Sequence, residues 1–240
     1  MMGLKGMGIL NYQSSYLSGE KHFINKLKRI KGNKIIFDVG ANVGNYSKLI
    51  LKKIKDVSIY AFEPNSISFM KLDKNILSKQ VSKYNFGFSD HSGSSLMYDD
   101  KNNPGSSHAS LHSGVFTDLE SKPFTEQTIQ LTTIDQFVED NKISKITLLK
   151  IDTEGNEYNV LKGADETLKK GIIDIIQFEF TEMNLFSRHF FNDFYELLIK
   201  DYKIYRLLPN SFLEIKNYHP PVCELFAFQN LIAIKRDLDL

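Results

Sequence analysis

Residues 35–46 read Ile-Ile-Phe-Asp-Val-Gly-Ala-Asn-Val-Gly-Asn-Tyr, and this stretch decides the fold. An apolar run ends at Asp38, a turn with glycines at Gly40 and Gly44 follows, and a helical pattern dotted with lysines begins. Glycine lets the backbone approach a ligand closely, and a helix N-terminus offers unpaired N–H groups. The pattern is typical of the first strand, turn and helix of a nucleotide-cofactor fold.

A second acidic residue follows the next apolar run. Glu63 comes directly after residues 59–62 and before Pro64, a little over twenty residues beyond Gly40. That spacing suits a carboxylate that holds ribose hydroxyls at the tip of the second strand. The turn and this acid together indicate a ligand that carries adenosine.

The composition is that of an ordinary globular protein and excludes several kinds of function. Of the 240 residues, 42% are apolar and 25% are charged. Lys and Arg (30) nearly balance Asp and Glu (29), so the chain has no general attraction to nucleic acid or anionic lipid. The single cysteine, Cys223, excludes an internal disulfide and a thiolate zinc cluster.

The sequence shows neither a membrane span nor a secretory signal. No apolar run approaches the roughly 18 residues that a span needs. Residues 1–10 are too short and too interrupted by glycine for the apolar part of a signal peptide. We therefore expect a cytoplasmic protein.

Predicted strands and helices alternate along the chain, which favours a parallel sheet with helices on both faces. The first strand falls near 34–39 and the third near 84–88. The last two, 202–208 and 224–235, have only a loop between them and suit an antiparallel pair at the sheet edge. We predict an α/β, Rossmann-like fold with a mostly parallel seven-stranded sheet and one antiparallel edge strand.

Two segments fall outside this alternation. Residues 1–33 form an amphipathic helical lead-in, because apolar residues recur at helical spacing before Gly32. Residues 34–240 are predicted to form a single domain. Within it, the stretch 94–124 is polar and turn-rich without a period, as expected of a lid or binding loop.

The glycine turn also indicates which cofactor binds. Dinucleotide-binding turns follow the pattern G-x-G-x-x-G, in which the second glycine makes room for the pyrophosphate. Here Asn42 occupies that position, where its side chain would crowd a diphosphate but can hydrogen-bond a smaller zwitterionic tail. S-adenosylmethionine has such a tail and no phosphate, so the turn favours this methyl donor over NAD.

Three blocks of the sequence resemble the FkbM-type methyltransferases, a class I S-adenosylmethionine-dependent family. They are 38–44 (Asp-Val-Gly-Ala-Asn-Val-Gly), 62–64 (Phe-Glu-Pro) and 150–157 (Lys-Ile-Asp-Thr-Glu-Gly-Asn-Glu). The resemblance implies that residues 34–240 are one methyltransferase domain that methylates a hydroxyl group. Its acceptor would be a glycan or a small natural product, with 94–124 as the acceptor loop and no nucleic acid partner.

Seven residues are expected to bind the cofactor or to shape its site. Glu63 suits a bidentate contact with the ribose, and the end of the third strand borders the adenine. Asp38 has an alternative role, as a helix N-terminal acid satisfied by local N–H groups. The set is Asp38, Gly40, Asn42, Gly44, Glu63, Phe88 and Asp152.

Asp152 is also the residue expected to take part in the chemistry. It follows the buried run 146–151, so its carboxylate would orient the acceptor, accept its proton or bind a metal; capping the next helix is the alternative. Glu179 ends the next strand and would reach the same edge of the sheet. The two carboxylates together provide a possible Mg²⁺ site.

His108 is a further candidate base because it lies in the unpatterned stretch and an imidazole titrates near neutral pH. A solvated bystander is the alternative. Two rival functions stay open for the whole chain. A nicotinamide-dependent oxidoreductase is disfavoured by Asn42, and a non-catalytic adenosyl-binding protein would be expected to have a damaged cofactor turn.

Overall fold

The computed structural model describes residues 2–240, in which strands and helices alternate. The strands are β1 (Lys34–Val39), β2 (Val57–Phe62), β3 (Val81–Tyr84), β4 (Gly87–Phe88), β5 (Gly93–Asp100), β6 (Phe124–Thr132), β7 (Ile146–Ile151), β8 (Ile173–Phe180), β9 (Tyr202–Leu207), β10 (Phe212–Glu214) and β11 (Gln229–Lys235). The helices are α1 (Met2–Gly6), α2 (Glu20–Leu27), α3 (Asn45–Lys53), α4 (Ser66–Asn75), α5 (Ile134–Asp140), α6 (Glu157–Lys162), α7 (Asp165–Lys169), α8 (Asn184–Ser187), α9 (Phe191–Leu198) and α10 (Pro220–Cys223).

The main sheet has the strand order β10-β9-β11-β8-β7-β1-β2-β3. The five strands from β8 to β3 pair in parallel, and β11 runs antiparallel to both of its neighbours, β8 and β9. Parallel neighbours point their carboxyl ends to the same edge, so β1, β2, β7 and β8 all end there. These pairings confirm the predicted Rossmann-like class, and ligands bind at that edge in such sheets.

The antiparallel end of the sheet differs in detail from the prediction. Phe212–Glu214 adds an eighth strand, which pairs with β9. Three residues are too few to reveal a period of two in a sequence, so this strand was not predicted. The reversed strand β11 lies between β8 and β9, and the outermost strand β10 runs antiparallel to β9, so the antiparallel edge is confirmed.

The predicted third strand, 84–88, is divided between two sheets. Val81–Tyr84 pairs with β2 in the main sheet, whereas Gly87–Phe88 pairs with β6 in a second sheet of order β4-β6-β5. Asn85 lies at the break, and its Nδ2 donates a hydrogen bond of 2.8 Å to the Glu63 carbonyl oxygen. This side-chain bond holds the change of direction, which an apolar pattern alone does not predict.

Part of the predicted loop at 94–124 forms regular secondary structure that its composition does not indicate. Its first part is strand β5, which pairs antiparallel with β6 over the full length of β5. Serines near the start of β5 and two buried acids at its end, Asp99 and Asp100, weaken the alternation by which a strand is recognised. A connection from 101 to 123 remains, and a π-helical turn at Val115–Leu119 lies within it.

Helices cover both faces of the main sheet, as predicted. Along β1, Phe37 and Val39 pack in one apolar cluster with residues of α5, α6 and α9. Ile36 points to the other face and packs with residues of α2, α3 and α4. This alternation follows from the period of two along a strand.

The first 33 residues are closely packed against the rest of the chain. Phe23, Ile24 and Leu27 of α2 are buried in the second cluster, and Ile9 forms an isolated bridge with Gln229 of β11. Residues 7–19 between α1 and α2 contain no helix. In residues 2–240, no helix has the length and the apolar composition to cross a membrane.

Candidate active site

The turn after β1 brings the backbone of two strand ends into contact. Gly40 has φ of 77°, and a Cβ atom there would lie 1.7 Å from the carbonyl oxygen of Asp152. Only glycine fits such an approach, because every other residue carries a Cβ. Gly40 therefore sets the distance between the turn at residues 40–44, called the cofactor turn below, and the loop that follows β7.

All five backbone N–H groups of this turn are satisfied within the chain. Gly40 and Ala41 donate to the Phe62 carbonyl oxygen at 3.0 and 2.9 Å, and Gly44 donates to the Ala41 oxygen at 2.8 Å. The Asn42 N–H donates to Glu63 Oε2 at 2.8 Å, and the Val43 N–H donates to Asn42 Oδ1 at 2.7 Å. No N–H group of the turn is therefore left to bind a phosphate. In this it differs from the concave sets of backbone N–H groups that bind nucleotide phosphates.

Glu63 links the turn to the end of β2. Its Oε2 accepts from Asn42, and its Oε1 accepts from the Asn65 N–H at 2.8 Å. Burial raises the pKa of the Glu63 carboxyl to about 7, against the opposing effect of these two hydrogen bonds. Each oxygen keeps a further lone pair with which it can accept a hydroxyl donor.

The connection after β5 folds back over the turn. Buried Asp99 accepts from the Gly105 N–H at 2.6 Å and from the Ser106 hydroxyl at 2.9 Å. Asn42 Nδ2 donates to the Ser106 carbonyl oxygen at 3.3 Å. These bonds fix residues 105–106 above the cofactor turn.

A first cavity lies between the turn, β2 and the second sheet. It contains about 690 Å³ of space between atoms, part of which is open to solvent. Gly40, Asn42, Glu63 and Phe88 line it together with Asp152. The second sheet and the connection after β5 add an apolar wall of Met97, Ala109, Leu111, Ile129 and Leu131.

A second cavity opens on the other side of Gly40 and Asn42. It contains about 1150 Å³, part of which is open to solvent. Asp152 lines both cavities and so lies between them. Leu49 and Phe228 add apolar surface to the second cavity. Most of the further lining residues are polar, and they are Tyr12, Ser14, Ser15, Ser18, Glu20, Asn45, Tyr46, Ser107, Lys150, Glu179 and Asn230.

Lys150 joins the two aspartates of the site. Its Nζ lies 2.9 Å from Asp152 Oδ2 and 3.9 Å from Asp38 Oδ1, and its ammonium lies 4.9 Å from the centre of the Tyr46 ring. Burial opposes the charged form of Lys150, but the carboxylates of Asp152 and Asp38 outweigh burial and raise its pKa. The ammonium thus holds the Asp152 carboxylate in place.

Asp38 lies beneath the cavities. Its side chain is fully buried, and its Oδ2 accepts from the Ser47 hydroxyl at 2.6 Å. Its Oδ1 has no hydrogen-bond partner among residues 2–240. Asp38 therefore positions Lys150 and the start of α3, and it lines neither cavity.

Glu179 lines the second cavity together with Asp152. Burial and the nearby carboxylates of Asp152 and Glu154 raise the pKa of the Glu179 carboxyl. Lys150 acts in the opposite direction. Burial among other carboxylates thus favours the protonated form of Glu179.

The structure brings most of the predicted residues together. Gly40, Asn42 and Asp152 line both cavities, Glu63 and Phe88 line the first, and Glu179 lines the second. Gly44 lines neither: it has φ of 87°, and a Cβ there would lie 2.5 Å from the Ile76 side chain. Gly44 therefore serves the packing of α3 against α4.

His108 is not brought to either cavity. Its Nδ1 pairs with the Glu120 carboxylate on the outside of the connection, and half of its side chain is exposed. The neighbours Ser107 and Ala109 line the first cavity instead. The position of the imidazole thus fits the alternative interpretation, in which His108 is a solvated side chain without a catalytic role.

Sequence reasoning missed the residues that lie far from the three blocks. Glu20 and Asn230 come to the second cavity from α2 and β11, which only the tertiary fold places side by side. Lys150 carried a signal, because a single lysine in a buried strand needs an acidic partner. Its partners follow from the strand register and not from the sequence order.

No group of three or more His, Cys, Asp or Glu side chains in the described chain is arranged to hold a metal ion. Beside the carboxylate of Asp152, where the predicted Mg²⁺ site would lie, the structure has the Lys150 ammonium. The Mg²⁺ prediction is therefore without support.

Solved structures of methyltransferases are similar to the chain at low identity. The precorrin-6y C5,15-methyltransferase of Geobacter metallireducens GS-15 has a TM-score of 0.47 and 10% identity, covering 89% of this chain and 87% of that one. The METTL16 MTase domain has a TM-score of 0.49 and 11% identity, covering 90% and 66%. Both scores lie below 0.5, so the fold class rests on the strand order described above.

Two curated proteins are similar in sequence. The hexuronic acid methyltransferase AglP of Haloferax volcanii is 29% identical over 158 residues, which are 64% of this chain and 59% of that protein. Methyltransferase sdnD of Sordaria araneosa is 28% identical over 171 residues, 58% of this chain and 64% of that protein. The chain thus matches about three fifths of the length of each relative.

The model of one protein family matches the part of the chain that contains the first cavity and part of the lining of the second. This family is described as the methyltransferase FkbM domain, and the match covers residues 38–207. The match begins at Asp38, includes the turn, Glu63, Asp152 and Glu179, and ends at the last residue of β9. The chain belongs to the FkbM methyltransferase domain family.

Proposed function

We propose that the protein is an S-adenosylmethionine-dependent O-methyltransferase that acts on a hydroxyl of a carbohydrate or of a small natural product. The observation that carries this proposal is the cofactor turn, whose five N–H groups are all satisfied while Glu63 closes it. Such a turn offers a carboxylate to ribose hydroxyls and nothing to a diphosphate. Membership of the family supports the reaction class.

The first cavity fits the adenosine part of this donor. Glu63 lies at its polar end, where each carboxylate oxygen can accept a ribose hydroxyl. Phe88 and the apolar wall from the second sheet provide the flat, apolar surroundings that a purine ring requires. Gly40 keeps the backbone low beneath the ligand.

The charges around Asp152 fit the sulfonium and the amino group at the methionine end of the donor. Asp152 lies between the two cavities beside the turn, and Glu179 lines the second cavity. Carboxylates favour a sulfonium and an ammonium, and they disfavour the phosphates of a nicotinamide dinucleotide. The rival oxidoreductase function therefore loses support from the electrostatics as well as from Asn42.

The reaction needs a base and a fixed alignment. When bound, the donor supplies a methyl group that passes from sulfur to the acceptor oxygen, and the electron pair of the broken S–C bond stays on sulfur. Asp152, held by Lys150 at 2.9 Å, orients the acceptor hydroxyl for an in-line approach. Glu179, whose pKa is raised, accepts the proton that the hydroxyl loses.

The printed name of AglP supports a carbohydrate acceptor, because that relative is a hexuronic acid methyltransferase. The similarity spans 59% of that protein, so the identity of the acceptor is not transferred with it. Sugars and small natural products both offer unionised alcohols. Such alcohols need a general base, which contributes roughly 10²–10⁴ in rate.

Two assays test the proposal. Calorimetry with S-adenosylhomocysteine and with NAD should give micromolar binding for the first and none for the second. A methyl-release assay over glycosides and natural-product alcohols should then find turnover. Binding of NAD without binding of S-adenosylhomocysteine would reject the proposal, and tight donor binding without turnover on any alcohol would favour the non-catalytic alternative.

A further inference from the structure

Two residues that line the second cavity carry buried polar atoms without a hydrogen-bond partner in the described chain. Asn230 Nδ2, on a residue with 0% exposure, and Ser18 Oγ, on a residue with 4% exposure, have no hydrogen-bond partner among residues 2–240. Both residues line the second cavity. Buried polar groups are nearly always hydrogen-bonded, so two unsatisfied atoms in one cavity wall indicate a polar ligand.

Gln177 fixes the orientation of these groups. Its Nε2 donates to Glu20 Oε1 and to Asn230 Oδ1, both at 3.1 Å, and its Oε1 accepts from the Tyr46 hydroxyl at 2.7 Å. The Asn230 oxygen accepts one of these bonds, and its Nδ2 group lies toward the Glu20 carboxylate without completing a hydrogen bond within the described chain. Because the network is buried, the orientation is set before any ligand binds.

Glu20 supplies the complementary acceptor. Its carboxylate lies beside the Asn230 amide, and both line the same cavity. Burial raises the pKa of Glu20, whereas Lys150 and the amides of Gln177 and Asn230 stabilise its charged form. An amide donor, a carboxylate acceptor and the Ser18 hydroxyl, which can do both, match the pattern of neighbouring sugar hydroxyls.

The charges of the cavity select against one class of sugar. Three carboxyl groups (Glu20, Asp152 and Glu179) and one ammonium (Lys150) line it. The ammonium is already paired with Asp152 at 2.9 Å. No described cation in the lining is thus free to pair with an acceptor carboxylate, and a like charge among these acids would be repelled.

We propose that Ser18, Glu20 and Asn230 form a hydroxyl-binding subsite for the acceptor, and that it takes a neutral polyhydroxylated ring, such as a hexopyranoside, in preference to a hexuronate. This inference rests on the proposed function and deepens it. The three residues lie outside the family match at 38–207. The preference also differs from the acceptor that the name of AglP gives for that relative.

Saturation-transfer NMR tests the subsite directly. The probes are the methyl glycosides of glucose, galactose and mannose and the matching methyl hexuronides, each added to the full chain with S-adenosylhomocysteine. We expect at least one neutral glycoside to bind, and to bind several-fold more tightly than its hexuronide. A tighter hexuronide, or no neutral glycoside bound, would overturn the proposal.

Two variants test whether the glycosides detected by NMR bind at the subsite. Ser18→Ala removes a hydroxyl that makes no bond within the described chain, so the melting temperature should not change while glycoside affinity falls about 3- to 10-fold. Asn230→Ala should have an effect of similar size on binding. Asn33→Ala is the matched control, because Asn33 is exposed and precedes β1 at the opposite edge of the sheet. Glycoside binding that persists unchanged in both subsite variants would overturn the proposal.

Donor affinity separates this proposal from the proposed function. The Ser18→Ala variant should bind S-adenosylhomocysteine as tightly as the unmodified chain does. A tenfold loss of that affinity would mean that Ser18 serves the tail of the donor, and it would overturn the acceptor subsite alone. If S-adenosylhomocysteine does not bind the unmodified chain, the proposed function itself fails.

Discussion

The two cavities that meet at Asp152 differ in what forms their walls. The first is formed by strand ends within the family match and by the apolar face of the small second sheet. The second is formed largely by polar side chains, several of which come from residues before 38 and after 207. The proposed cofactor side thus lies within the family match, whereas the proposed acceptor side lies partly outside it.

Because the two cavities differ in this way, substitutions in each should affect the binding of a different ligand. Changes at Glu63 or the apolar wall should alter donor binding, whereas changes at the second cavity should alter acceptor binding. Changes at Asp152, which lines both cavities, and at Glu179, the proposed base, should lower turnover more than either affinity.

The largest effect is expected for Asp152→Asn. The amide keeps the shape but loses the charge that pairs with Lys150 and orients the acceptor, so kcat should fall about 10²–10³-fold. The affinity for S-adenosylhomocysteine, which lacks the sulfonium charge, should change less than about threefold in calorimetry. Asp165→Asn is the matched control, because Asp165 lies partly exposed on α7. Full activity of the Asp152 variant would remove this residue from the chemistry.

Glu63→Gln should have the next largest effect, on donor affinity alone. One carboxylate oxygen is replaced by a donor group, and a hydrogen bond to a charged group is worth about 1.5–3 kcal/mol, or roughly 10- to 100-fold in Kd. Exposed Glu139→Gln on α5 is the control. An unchanged Kd for S-adenosylhomocysteine would place the ribose elsewhere.

The pH dependence of donor binding sharpens the same comparison. Because burial raises the pKa of Glu63 to about 7, the carboxyl is largely neutral at pH 6 and largely ionised at pH 8. Ribose hydroxyls are best accepted by the ionised form, so affinity should rise by about tenfold between these pH values. Calorimetry at pH 6, 7 and 8 measures this rise, which Glu63→Gln should abolish. A flat profile in the unmodified chain would contradict the assignment.

The smallest effect is expected in the apolar wall. Met97 points into the first cavity, whereas its neighbour Leu96 is 45% exposed on the other face of β5. Met97→Ala should weaken S-adenosylhomocysteine binding about 3- to 10-fold through lost apolar contact. Leu96→Ala should leave the Kd unchanged. Equal effects of the two variants would mean that the wall does not touch the donor.

The sequence predicted the regular part of the molecule well. Parallel, doubly covered strands such as β7 are continuous apolar runs, and the glycine turn has a local signature in Gly40. The fold class and the family were therefore predicted and are confirmed. The break at Asn85 and the strand β5 were missed because side-chain hydrogen bonds and a mixed polar pattern decide them.

The candidate site could be predicted only where it is local in sequence. Glu63 and Asp152 follow strands and could be placed at one edge of the sheet. Glu20 and Asn230 are more than two hundred residues apart, and their meeting depends on the tertiary packing of α2 and β11. His108 fell on an irregular segment, where no periodicity indicates which way a side chain points.

A crystal structure of the full chain with S-adenosylhomocysteine tests the central claim most directly. We expect the adenine against Phe88 and the apolar wall, the ribose on Glu63, and the sulfur beside Asp152 at the junction of the two cavities. A ligand bound only in the second cavity, or a first cavity that stays closed to it, would contradict the account.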